Sequence, residues 1–137
     1  MTEAQHQAAF RDVVKKDWPH AVWFKLNDRA NGGVPDVSLD EDGRHWWIEL
    51  KRIDENKNLR SDAVTPPRQL AEMLRLQRAS RHRGAWYVVF NEGTGLTEIW
   101  LPSALLEWKR NPRASYAPRL LLSGYNYRGI LQFLKGA

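Results

Sequence analysis

Three side chains able to hold a cation and handle a proton are grouped in the stretch VPDVSLDEDGRHWWIELK. Asp36 follows Pro35, and thirteen residues after Asp36 comes Glu49-Leu50-Lys51. Side chains alternate along a β-strand. On a strand through His45 to Arg52, Trp46, Ile48 and Leu50 therefore share one face and Trp47, Glu49 and Lys51 the other. Glu49 and Lys51 then stand about 7 Å apart along the strand. On a preceding strand, Val34 to Leu39, Asp36 and Ser38 lie opposite Val37 and Leu39. If the apolar faces pack together, Asp36 and Glu49 converge beside Lys51. Two converging carboxylates repel unless a positive charge lies between them. Mg²⁺ takes one or two carboxylates plus waters and substrate phosphate. Lys51 could then hold or help deprotonate an attacking water. The ordinary alternative is an exposed strand face with a Glu/Lys pair and a turn aspartate.

The elements that must position these residues follow from local signals. Thr2 can cap a helix over Glu3 to Lys16, which Trp18-Pro19 ends. Ala21 to Asn27 reads as a strand and Asp28 to Gly33 as a loop. Asp40 to Gly43 makes the hairpin turn, with Gly43 free to take positive φ. The polar segment Ile53 to Val64 reads as a mobile loop or one ordered on binding. Thr65 as N-cap and the following prolines start a second helix, with Leu70, Met73 and Leu74 at helical spacing, ending near Arg81 to Gly84. Trp86 to Phe90 is an apolar run expected of a strand buried on both faces. Thr97 to Leu101 follows as a strand and Pro102 opens a short helix. Leu120 to Leu122 is expected as a strand and Tyr127 to Leu134 as a terminal helix. The order predicts one α/β domain over 1–137, with a central mixed β-sheet flanked by α-helices.

Pro35-Asp36 and Glu49-Leu50-Lys51, on consecutive strands after a helix, resemble the signature of the PD-(D/E)XK nuclease superfamily. The element order over residues 3 to 101 resembles Holliday junction resolvases of the archaeal and phage type, and the related VRR-NUC domains. The resemblance implies a restriction-endonuclease-like core. It implies Asp36 and Glu49 as metal ligands, the Leu50 carbonyl as a main-chain ligand and Lys51 as the catalytic lysine. It also implies an acid from the first helix. Glu3 and Asp12 are the candidates, and they lie on opposite helix faces. Glu3 shares its side with Phe10 and Val14, so Glu3 is expected to point inward beside Gln7. A glutamine in the next helix near the scissile phosphate corresponds to Gln69. The implied activity is Mg²⁺-dependent hydrolysis of DNA, with Mn²⁺ able to substitute, leaving 5′-phosphate and 3′-hydroxyl ends.

Composition agrees with a polyanionic partner. The 137 residues carry 21 Lys plus Arg against 16 Asp plus Glu, a net charge of +5, and fourteen of the cations are Arg. Arg29 and Asn31 before Asp36, Lys57 and Arg60 in the long loop, and Arg68, Arg75 and Arg78 in the second helix are candidate DNA contacts. Arg81 and Arg83 extend that cluster. Branched DNA is the expected substrate, and paired cuts in a four-way junction call for a homodimer. Tyr116, Tyr125, Tyr127, Ile130 and Phe133 could supply its apolar patch, or could complete the monomer's own core. The rival readings are a nuclease of the same fold acting on flaps, nicks or duplex, and a nuclease-like binding module without catalysis. The absence of cysteine excludes disulfides and thiolate chemistry and suits a reducing compartment. The expected location is the cytoplasm of a prokaryotic or phage-infected cell. No transmembrane run, secretory signal, P-loop, dinucleotide fingerprint, nucleophile elbow or histidine metal spacing is visible, so a membrane partner and a nucleotide cofactor are not expected.

Overall fold

The computed structural model describes residues 1–26 and 33–137. In chain order the elements are α1 (Glu3–Asp17), β1 (Val22–Lys25), β2 (Val37–Glu41), β3 (Arg44–Ile53), a 3-10 turn (Asn56–Arg60), α2 (Pro67–Ala79), β4 (Ala85–Asn91), β5 (Leu96–Trp100), α3 (Pro102–Arg110), β6 (Leu120–Ser123) and α4 (Tyr127–Gly136). The six strands lie in sequence order in one sheet. Only β3 and β4 run parallel; every other neighbouring pair is antiparallel. A parallel pair needs a crossover, and α2 lies within it. The result is an α/β fold with a mixed sheet flanked by helices. Among the described residues, no helix is long and apolar enough to cross a membrane.

Strand alternation sorts the apolar side chains into two cores. Val37, Leu39, Trp46, Ile48, Leu50, Trp86 and Val88 pack with Phe10 and Val14 of α1 and Ile130, Leu131 and Leu134 of α4. On the opposite face Ile53, Tyr87, Val89 and Trp100 pack with Leu70, Met73 and Leu76 of α2 and Leu105 of α3. All of β4 is buried, as its continuous apolar run requires.

Local chemistry fixes the ends of these elements. A capping box closes the start of α1: the Thr2 hydroxyl accepts from Gln5 N and Thr2 N donates to Gln5 Oε1. The β2–β3 hairpin turns through Asp42 (φ 54°) and Gly43 (φ 77°), the pair of positive φ values that matches strand twist.

Two expectations are corrected, and one open alternative is decided. The cap of α2 is Pro66, not Thr65, and makes no side-chain hydrogen bond. A residue before proline is kept out of the helical region, so Pro66, followed by Pro67, must be extended. The segment after β3 is anchored rather than mobile: Leu59 is completely buried in the α2-side core, and Arg60 lies 3.7 Å over the Trp108 ring. The C-terminal aromatic set mostly completes this chain's own core. Ile130 is buried, Phe133 packs edge-on against Trp86, Tyr127 approaches Phe10 and Phe90, and Tyr116 contacts Trp100 and Trp108. Tyr125 alone of the five stays 40 % exposed.

Candidate functional site: a carboxylate pair and a buried lysine

Antiparallel pairing of β2 with β3 matches Val37 to Ile48, so Asp36, one residue before β2, comes level with Glu49. The main-chain N–H of Asp36 donates to Glu49 Oε1 at 2.9 Å. In return, Asp36 Oδ2 accepts from the main-chain N–H of Leu50 at 2.9 Å. Each acid is thus held by the backbone beside the other. Glu49 and Lys51 point to the α2 face as strand alternation requires, and they are only 3 % and 7 % exposed. Lys51 Nζ lies 3.3 Å from Glu49 Oε2. Gln69, in the first turn of α2, donates Nε2 to the same oxygen at 2.8 Å.

Burial pushes the Glu49 carboxyl up to about 8. Lys51 opposes that shift, whereas the Asp36 charge adds to it, as does a hydrogen bond between the two acid side chains. The two carboxyl groups are therefore close enough to share a proton. Glu3, expected to point inward, is exposed at the start of α1 and reaches only the rim of the same region. Burial raises its pKa, Lys51 pulls it down, Asp36 raises it, and the Arg52 main-chain N–H donates to it. Phe10 and Val14 are buried on its side of the helix, while the Asp12 side chain is 73 % exposed beside Arg11.

Among the described residues, two buried polar atoms at this site have no partner: Gln69 Oε1 and the Tyr87 hydroxyl. Tyr87 is the β4 residue directly opposite Glu49. Burial, then the charges of Glu49 and Asp36, raise its pKa. Its position was not legible in the chain, since WYVVF reads as a uniform core strand. Only the β3–β4 register reveals it.

The remaining candidates are dispersed. Arg29 and Asn31 lie outside the described residues. Lys57 pairs with Glu55 at 3.1 Å on the surface. Arg60 donates Nε to the Trp108 carbonyl at 2.9 Å and Nη2 to that of Pro112 at 3.4 Å, so it ties the 3-10 turn to α3. Arg75 pairs with Glu72 one turn away. Arg68 and Arg78 are exposed on α2, Arg68 next to Gln69.

A second polar cluster was also missed. His6, fully buried, stacks on Phe90 at 3.9 Å and contacts Tyr127 Oη at 2.9 Å and Glu92 at 3.2 Å. It joins α1, β4 and α4, and its place at i+3 from Glu3 was the available signal.

Among the described residues, no three carboxylate, imidazole or thiol groups gather into a set able to hold a metal ion. What the site offers is a carboxylate pair, a lysine and an amide on one face of a sheet. No family model, curated protein or solved structure matches this chain.

Proposed function

We propose that this chain is a metal-dependent endonuclease of the PD-(D/E)XK type, hydrolysing phosphodiester bonds in branched DNA, with the four-way junction as leading substrate. The observation that carries this reading is the meeting of half-buried Asp36 with buried Glu49 and Lys51 at the start of β2 and the middle of β3. A purely structural sheet gains little from such a patch. Burying charges costs several kcal/mol per ion even when they are paired.

The residues suit a hard divalent cation. The donors are oxygens, two carboxyl groups lie within hydrogen-bonding reach, and an amide oxygen and a phenol stand buried without partners beside them. Asp36, Glu49 and the Leu50 carbonyl would hold Mg²⁺, or Mn²⁺ in its place, with the remaining positions left to water and phosphate. Bound there, the cation would supply charge neutralisation at the phosphate and a lowered pKa for water.

The chain's own side chains do the rest. Gln69 and the Asp36 N–H fix the two oxygens of Glu49. Lys51, its ammonium beside Glu49, is placed to orient the attacking water and pass on its proton. Glu3 adds a third acid at the rim. Water adds to phosphorus, the bond from phosphorus to the 3′ oxygen breaks, and the proton ends on that oxygen. The ends are a 5′-phosphate and a 3′-hydroxyl. Paired cuts require a twofold dimer, whose contact must draw mainly on surfaces other than the C-terminal aromatic set.

The test is a panel of labelled junction, flap, single-stranded and linear DNAs incubated with Mg²⁺. Symmetric paired cuts in the junction, abolished in Glu49→Gln with binding retained, are expected. Preferential cutting of flap or duplex would move the substrate within the same chemistry. DNA left intact across the panel would leave only a binding role.

A further inference from the structure

The carboxylate pair lies toward the end of the sheet where β3 finishes. At the other end, where β4 begins, a cleft of about 720 Å³ is lined by Arg81, His82, Arg83, Trp86, Arg119 and Phe133, among others. Arg83 precedes Tyr87 by four residues, about 13 Å back from the level of Glu49, whereas Arg119 is level with Glu49 but three strands across the sheet, about 14 Å away. The cleft also opens on the other side. Trp86 and Phe133 belong to the α1/α4 core, whereas Glu49 points toward α2.

The side-chain charge of the cleft is one-sided. Among the described residues, no Asp or Glu lines it. The guanidinium groups of Arg81, Arg83 and Arg119 are exposed and make no ion pair with a described carboxylate. Like charges gathered in a concavity raise the local potential and concentrate anions there.

The frame holding them is built rather than loose. Arg81 (φ 56°) and His82 (φ 64°) adopt consecutive left-handed conformations, which are uncommon for residues with a Cβ. The turn is pinned by His82 N to the Gln77 carbonyl at 2.8 Å and by the Ser80 hydroxyl accepting from Gly84 N at 3.0 Å. Only glycine fits at 84, because a Cβ there would lie 2.8 Å from that of Ser80. The Arg83 carbonyl accepts from the Trp86 indole at 2.9 Å. Arg119 is set by its own N–H, which donates to the Ile99 carbonyl at 2.7 Å. Guanidinium groups carried on a backbone held in this way can fork onto phosphate oxygens.

We propose that this cleft is a second nucleic-acid contact, taking the phosphodiester backbone of an arm other than the one offered to the carboxylates. The proposal rests on the nucleic-acid reading above and specifies it. A substrate touching both places must have two arms or bend around the end of the sheet, which a straight duplex does not.

The test is equilibrium binding of a labelled four-way junction and a linear duplex in EDTA, which prevents cutting, over a range of salt. Wild type is compared with Arg83→Gln/Arg119→Gln and with a control, Arg110→Gln/Arg113→Gln, that removes the same charge elsewhere. The expected result is a loss of junction affinity of at least about tenfold and a salt dependence shallower by about two phosphate contacts, in the cleft variant only. Thermal melts of both variants should match wild type. Unchanged junction affinity and salt dependence in the cleft variant would overturn the proposal, as would an equal loss in the control. Wild type that binds neither DNA would overturn the nucleic-acid reading itself, a distinct result.

Discussion

Tyr87 and Glu49 are partners across the parallel β3–β4 pair, and the tyrosine hydroxyl is buried there without a hydrogen-bond partner among the described residues. An unsatisfied buried polar group costs about 1–3 kcal/mol. Tyr87→Phe removes that group while keeping the ring in the α2-side core. Its unfolding midpoint should therefore equal or exceed that of wild type, whereas Mg²⁺-dependent cleavage should fall by about tenfold if the hydroxyl serves a bound ligand. A variant that melts clearly lower would show that the hydroxyl has a partner within the fold.

Stability should depend on pH through Glu49. Burial raises its folded pKa to about 8, well above the usual carboxylate range, so the fold favours the protonated form. The stabilisation is complete below the unfolded value and drains away as pH rises through the folded one. Glu3 shifts in the same direction. Urea unfolding between about pH 5 and 8 should show falling stability in wild type without divalent cation, and a flatter profile in Glu49→Gln. An equally steep profile in the variant would remove Glu49 as its source.

Cation binding should carry a proton signature. A divalent ion favours ionised Glu49, so Mg²⁺ must displace the proton held there. Calorimetry in two buffers of different ionisation heat should report proton release, with affinity rising from about pH 6 to 8. Asp36→Asn should lose this binding while its melt stays within a few degrees of wild type. Binding without proton release would mean that the ion sits elsewhere.

Lys51→Met separates catalysis from folding. Removing one partner of a buried pair usually strands a charge, but Glu49 is already biased toward its neutral form and can keep its proton. The variant should remain folded near neutral pH and lose stability above it. Cleavage should drop by about 10²–10⁴ if Lys51 handles the proton of the attacking water. Full activity in a folded Lys51→Met would dismiss that role.

The turn after β3 can be tested through Leu59, which is wholly buried. Leu59→Ala should cost about 2–5 kcal/mol, measured by urea unfolding. A cost below about 1 kcal/mol would fit a loosely attached loop instead.

What the chain discloses on inspection is what adjacent residues decide. The hairpin at Asp42-Gly43, the two faces of β3 and the inward side of α1 all follow from alternation, turn chemistry and helical spacing, and these place Asp36, Glu49 and Lys51 together. The contacts that escaped depend on separations no local pattern encodes. Tyr87 meets Glu49 only through the parallel register, and Arg60 finds Trp108 across 48 positions. Leu59 is a single apolar residue in a polar run, too little to signal an anchor. Phe133 and Ile130 read equally well as interface or interior until the position of α4 against the sheet is known.

The short connection between β2 and β3 has a consequence for assembly. Closing it orders few residues, so the two acids can be brought level early in folding, before the distant strands arrive. Gln69 and Tyr87 join them only when the long excursion through α2 has laid β4 alongside β3. The acidic half of the site is thus a product of nearby chain, and its lid of amide and phenol is a late arrival.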